Sequence, residues 1–166
     1  ALMVHGALVE IEGSGGTRTE PIDGLYAGPG ATTLAADDII TAVVLPEPEP
    51  GFASAHRKLG ARRGGTDIAM VAVSAGAALV DGRLRGVRIG LASVAPTPVR
   101  APSAEGILDG EVPEARLLAE AAEAAGEDAR PIDDLRTTAD HRRALVPVLT
   151  RRALEAALAA TRGEQP

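Results

Sequence analysis

Apolar and polar residues alternate on both sides of a glycine-rich break in GALVEIEGSGGTRTEPI, the pattern of a β-hairpin with one buried face and Gly13, Ser14, Gly15 and Gly16 as its turn. The opening ALMVHGALVEIE reads as strand from its first residues. GLYAGPGATTLAADD then reads as a loop ending in a short helical turn, ITAVVLP as a β-branched strand stopped by Pro46, and PEPEPG as a stiff linker. Beyond Phe52 the pattern strengthens. DIAMVAVSAGAALV and RLRGVRIGLASV flank Asp81-Gly82, which suits a type I′ turn, and Val87, Ile89 and Leu91 alternate with more polar positions.

The C-terminal third changes period. APTPVRAPSAEGILDG leaves the sheet through three prolines and allows one short helix. PEARLLAEAAEAAG predicts a helix with Pro113 at its first position and Gly126 as its stop, and Thr137 with Asp140 resembles a capping box opening DHRRALVPVLTRRALEAALAATR. Pro147 should kink or split that last helix, and its apolar residues fall on two sides, so it should pack against two surfaces. Strands first and helices last predict an α+β fold, a small antiparallel sheet covered by C-terminal helices.

The 166 residues include one Phe, one Tyr and no Trp, so Ala, Val, Leu and Ile must fill the core. The absence of cysteine excludes disulfides, thiolate catalysis and cysteine-ligated metal clusters within this chain. Apolar runs such as AMVAVSAGAALV are too short and small-sided for a membrane span, and no signal-peptide pattern opens the sequence, so a cytoplasmic location is expected. A net charge of −6 argues against nucleic-acid binding. The chain starts at Ala1 without an initiator methionine, from which a fragment is expected.

One segment opposes that charge. RKLGARRGGTD packs four cations and three glycines into Arg57 to Asp67. A P-loop needs its lysine after the glycines and a helix after that, whereas here Gly64 and Gly65 lead into a strand pattern. GSGGT lacks dinucleotide spacing and lies inside a hairpin. Without interleaved aromatics, the cations read as a solvated loop, with a small anion site as the weaker reading. His5, His56 and His141 have no partner at ligand spacing, and Asp37-Asp38 and Asp133-Asp134 precede apolar stretches where capping or solvation explains them. The residues alone compose no complete active site.

Four segments in order carry a resemblance: LAADDIITAVVLPEP, RKLGARRGGTDIAMVAVSAGAAL, IGLASVAPTPVRAPSAEGIL and RPIDDLRTTADHRRALVPVLTRRALEAAL. Together they resemble the C-terminal part of the FAD-binding (medium) subunit of the molybdenum hydroxylases, the carbon monoxide dehydrogenase and xanthine dehydrogenase type. The resemblance implies that residues 1–50 are the end of an FAD-binding domain and residues 51–166 a CO dehydrogenase flavoprotein C-terminal-like domain. It implies an oxidoreductase part that passes electrons from iron-sulfur clusters to an acceptor through FAD. Molybdopterin and the iron-sulfur clusters would sit on partner large and small subunits.

By the same resemblance Lys58 lies beside the flavin and Ile40 contacts it, with Arg62, Arg63 and Asp67 on a bordering loop that is a residue longer than usual. The family's two glycine-rich diphosphate segments precede the point that aligns with Ala1. FAD would therefore find only a partial site here, completed by a missing N-terminal FAD-binding half, and the chain alone would be inactive. The alternative is a non-catalytic assembly or interaction module that has lost flavin binding.

Overall fold

The computed structural model describes residues 1–60 and 68–163. Residues 1–6 form turns instead of the expected strand: the N–H groups of Val4, His5 and Gly6 donate to the carbonyls of Ala1, Leu2 and Met3. Gly6, at φ +64°, supplies the left-handed step that turns the chain into β1. Strand β1 (Leu8–Gly13) pairs with β2 (Gly16–Pro21) in the expected hairpin, Gly13 opposite Gly16.

Where the sequence predicts a loop and a helical turn, the chain makes a 3-10 turn at Ile22–Leu25 and then a small hairpin, β3 (Tyr26–Gly28) and β4 (Ala31–Thr32). Alternation over two or three residues is too short to register as a strand pattern. Strand β5 (Ile39–Val44) returns to the free side of β1, giving the order β2-β1-β5. Ala7, Val9, Ile11, Ile22 and Leu25 form the small core of this first layer.

The second sheet is antiparallel throughout, in the order β6 (Phe52–Gly60), β7 (Ala69–Val80), β8 (Arg83–Ala92), β9 (Val99–Arg100). Asp81 and Gly82 take φ +50° and +75°, both positive as a type I′ turn requires. The proline-rich exit from β8 returns to pair Val99–Arg100 with that strand, an addition to the expected topology. Helices α1 (Pro102–Leu108), α2 (Ala115–Asp128) and α3 (Ala139–Thr161) cover one face. This is the α+β arrangement that the sequence predicts.

The main core lies between that face and the helices. Val71, Val73, Ala75, Ile89 and Leu91 from the sheet meet Leu118, Ala121, Val146, Ala153 and Leu154. Neither Phe52 nor Tyr26 belongs to it. Aliphatic burial at about 1.5–3 kcal/mol per Val, Leu or Ile therefore carries its stability, with close approach at the alanines.

Three helix expectations are corrected. α2 begins at Ala115 behind an extended Glu114, leaving Pro113 outside the helix, because the chain up to Glu111 is still tied to β8: Leu84 exchanges backbone hydrogen bonds with Gly110 and Glu111. Gly126 does not end α2, which continues to Asp128; a Cβ there would stand 3.4 Å from Cγ of Pro147. α3 is capped by Thr138 instead of Thr137, its Oγ1 accepting the N–H of His141, and it runs unbroken through Pro147. As expected, α3 packs on two surfaces, helix α2 and the β6–β7 pair.

Candidate functional site

Strand β6 pairs with β7 so that Ser54, His56 and Lys58 lie opposite Gly76, Ser74 and Ala72. Leu59 joins the helix-side core. The period of two therefore points Lys58, His56 and Ser54 to the other face, toward residues 1–50. On that face His56 Nδ1 lies 2.9 Å from Ser74 Oγ, and Ser54 Oγ lies 3.0 Å from His5 Nε2.

Small residues make this row accessible. At Gly76 a Cβ would fall 2.7 Å from both the Phe52 ring and Val4, so the absence of a side chain admits Val4 and Phe52 against the sheet. The His5 ring stacks edge-on against Phe52 at 5.4 Å between centroids. His5, Ser54, His56 and Ser74 line a shared cleft of about 220 Å³. Two histidines that look unrelated in the sequence are thus brought together by the strand register and the docked N-terminal turn, which sequence spacing cannot reveal.

Lys58 is exposed at the end of this row, adjacent in sequence to the segment leading to residue 61. Burial lowers the pKa of His56 below its ordinary value, and positive neighbours, Lys58 and Arg57 among them, lower it further. Arg62, Arg63 and Asp67 lie outside the described residues.

Ile40 sits on the other sheet. It pairs with Ile11 across β1–β5 just past a bulge at Glu10/Ile11, and is 42% exposed. Ile39, Val43, Val44 and Leu45 are exposed beside it, an apolar strand at the sheet's edge. Neither Ile40 nor Lys58 lines any of five well-formed clefts among the described residues.

The glycine-rich turn is held by acids. Ser14 N–H donates to Asp37 Oδ2 at 3.0 Å, and Asp38 receives both Nη atoms of Arg18, at 2.9 and 2.6 Å, as well as the N–H of Ala35 at 2.7 Å. The Arg18 guanidinium, with the Ala35 N–H behind it, lowers the Asp38 carboxyl to about 2. Asp37 and Asp38 are therefore structural: they bind the hairpin tip to the chain entering β5. With a carboxylate on its N–H group, this turn does not fit a diphosphate. Among the described residues, no three His, Cys, Asp or Glu side chains converge as a metal site.

The model of the CO dehydrogenase flavoprotein C-terminal domain matches residues 56–157. The chain belongs to that family. It is 34% identical over 160 residues to the nicotine 6-hydroxylase medium subunit of Paenarthrobacter nicotinovorans, covering 96% of this chain and 55% of that one. It is 29% identical over 163 residues to the xanthine dehydrogenase FAD-binding subunit of Escherichia coli O157:H7, covering 98% and 56%. Among solved structures, carbon monoxide dehydrogenase from Hydrogenophaga pseudoflava superposes with a TM-score of 0.88 at 33% identity, over 94% of this chain and 54% of that one. The chain spans about half the length of the relatives it matches. No described helix is long and apolar enough to cross a membrane.

Proposed function

We propose that this chain is part of the FAD-binding subunit of a molybdenum hydroxylase-type oxidoreductase. The similarity to FAD-binding and medium subunits along nearly the whole chain carries the reading. FAD, when bound, supplies the redox chemistry that links iron-sulfur clusters to an acceptor. Molybdopterin and the clusters belong to partner large and small subunits, and the complex is cytoplasmic. On this reading residues 1–50 are the end of the FAD-binding domain and residues 51–166 the family's C-terminal domain.

On this reading Lys58 and Ile40 border one side of the flavin ring, and the glycine-rich turn at residues 13–16 does not hold its diphosphate. Lys58 places a cation on the open face of β6, where it favours whichever state of the ring carries more negative charge. Ile40, on the exposed apolar edge of β5, offers a wall against which a planar ring can pack and exclude water. The glycine-rich turn at residues 13–16 is already closed by Asp37. The phosphates therefore need a further FAD-binding half, and this chain alone is inactive.

The same closed turn favours the second reading, an assembly module without flavin. Purification of the chain alone and with its partner subunits and N-terminal half separates the two. Flavin absorbance that appears only in the completed assembly supports the first reading; a colourless assembly supports the second.

A further inference from the structure

Five segments converge on a cleft of about 360 Å³ at the end of the second sheet: the β3–β4 turn at Pro29, the start of β7 at Ile68, the loop after β8 at Ser93, the 130–136 loop and the first turns of α3 at Arg142. Its mouth is unusually apolar for open surface. Ile68 is 60% exposed, Ile132 71%, and Leu135, on the same loop as Ile132, is fully exposed. Single exposed aliphatics are ordinary, but Ile68 and Ile132 line one concavity together with Pro29, Pro96 and Pro131, and such an apolar concavity marks an interaction surface.

The charged groups at this cleft are mostly cationic. Arg142, whose side chain is 6% exposed, donates from Nη1 to the Ser93 carbonyl, and its Nη2 makes an ion-pair contact of 2.7 Å with Asp134. Its Nε is buried with no acceptor among the described residues. Asp134 is fully engaged, by the N–H groups of Arg136 and Thr137 and by the Arg136 and Arg142 side chains. The Arg130 side chain donates to the carbonyls of Glu127 and Ala129 and has no carboxylate partner among the described residues. Among the described residues, three guanidinium groups (Arg130, Arg136 and Arg142) and one carboxylate (Asp134) line the cleft, on a chain whose net charge is −6.

We infer that this cleft docks a segment of a partner subunit that presents an apolar side chain flanked by carboxylates. The apolar anchor fills the space between Ile68 and Ile132, and Leu135, exposed on the same loop as Ile132, extends the apolar surface. The carboxylates answer Arg130 and the guanidinium excess, a complementarity that sets partner choice and association rate. A buried aliphatic anchor with a charged rim is how compact interfaces concentrate their binding energy. The inference rests on the reading of this chain as part of a multi-subunit enzyme.

The test uses the complex as it forms in the cell, with the chain tagged and its co-purifying subunits identified and titrated back. Ile132→Asp and Leu135→Asp leave the fold intact because both side chains stand in solvent, and each weakens partner affinity about tenfold or more. Arg130→Glu weakens it and flattens its salt dependence. Val148→Asp, exposed on α3 away from the cleft, has no effect. A wild-type complex whose affinity is unchanged by Ile132→Asp and Leu135→Asp overturns this inference alone. If the wild-type chain co-purifies with no subunit, the multi-subunit reading falls with it. A wild-type dimer of this chain that Leu135→Asp converts to monomer assigns the face to self-association and overturns the inference.

Discussion

Pro147 of α3 rests on Gly126 of α2, its Cγ 3.4 Å from where a Cβ of Gly126 would stand. That distance is ordinary van der Waals contact, so the glycine is not sterically required, and it sits inside α2, where glycine costs about 1 kcal/mol relative to alanine. Gly126→Ala should therefore be neutral or stabilising by up to about 1 kcal/mol, whereas Gly126→Leu should separate the helices and destabilise by about 1–3 kcal/mol. Denaturant titration of both variants checks this, and a destabilised Gly126→Ala would show that the helices approach more tightly than described.

Gly76 presents the opposite case. A Cβ there would meet the Phe52 ring and Val4 at 2.7 Å, where the N-terminal turn docks on the second sheet. Gly76→Ala should cost about 1–3 kcal/mol by overpacking and loosen the first layer from the second. Thermal unfolding together with protection of the Ser54 and Ser74 amides reads both effects.

The Arg18–Asp38 pair predicts a low-pH signature. The Asp38 carboxyl is lowered from its ordinary value to about 2, chiefly by the Arg18 guanidinium. A depressed carboxylate contributes stability that is present above the unfolded-state value near 4 and lost as pH falls through about 2. Asp38→Asn should remove that part of the acid transition and lower stability at neutral pH. Gly13→Ala should disturb the same pair, because its Cβ would run into Asp38 Oδ1.

His56 predicts a second pH effect in a different window. Burial and then positive neighbours depress its pKa, so the unfolded state binds the proton more readily. Its contribution to stability is complete above the unfolded value of about 6.5 and declines as pH falls through the lower folded value. His56→Gln, which keeps a hydrogen-bonding group near Ser74, should flatten the stability profile between pH 5 and 7 (about the range of an ordinary histidine titration). An unchanged profile would place the imidazole outside this environment.

The sequence carried the elements whose patterns are long and uniform. Val87, Ile89 and Leu91 alternate cleanly and are buried, and Asp81-Gly82 makes the turn its residue types require. It failed where tertiary contact decides. Gly126 reads as a stop, yet α2 passes through it and Pro147 packs there. Thr137 reads as the cap, yet the Asp134–Thr137 bridge keeps it outside and Thr138 opens the helix. Asp37 and Asp38 look like capping groups, and only the fold brings Arg18 to them.

The candidate site was less legible than the fold. No periodicity singles out Lys58 or Ile40; both came from resemblance to a family, and the strands then define the face each occupies. The neighbours of Lys58 on that face, His5, Ser54, His56 and Ser74, are separated by up to 69 residues and meet only through the β6–β7 register and the docked N-terminal turn. The exposed β5 edge, with Ile39 67% in solvent, is a surface that an additional strand or domain would cover.

The flavin reduction potential of the completed enzyme tests the central claim most directly, comparing wild type with Lys58→Ala and Lys58→Arg. Loss of the cation should lower the potential by about 30 mV or more, tenfold in a two-electron equilibrium, and arginine should restore most of it. A potential unchanged in Lys58→Ala, with flavin retained in full, would contradict the placement of Lys58 beside the ring.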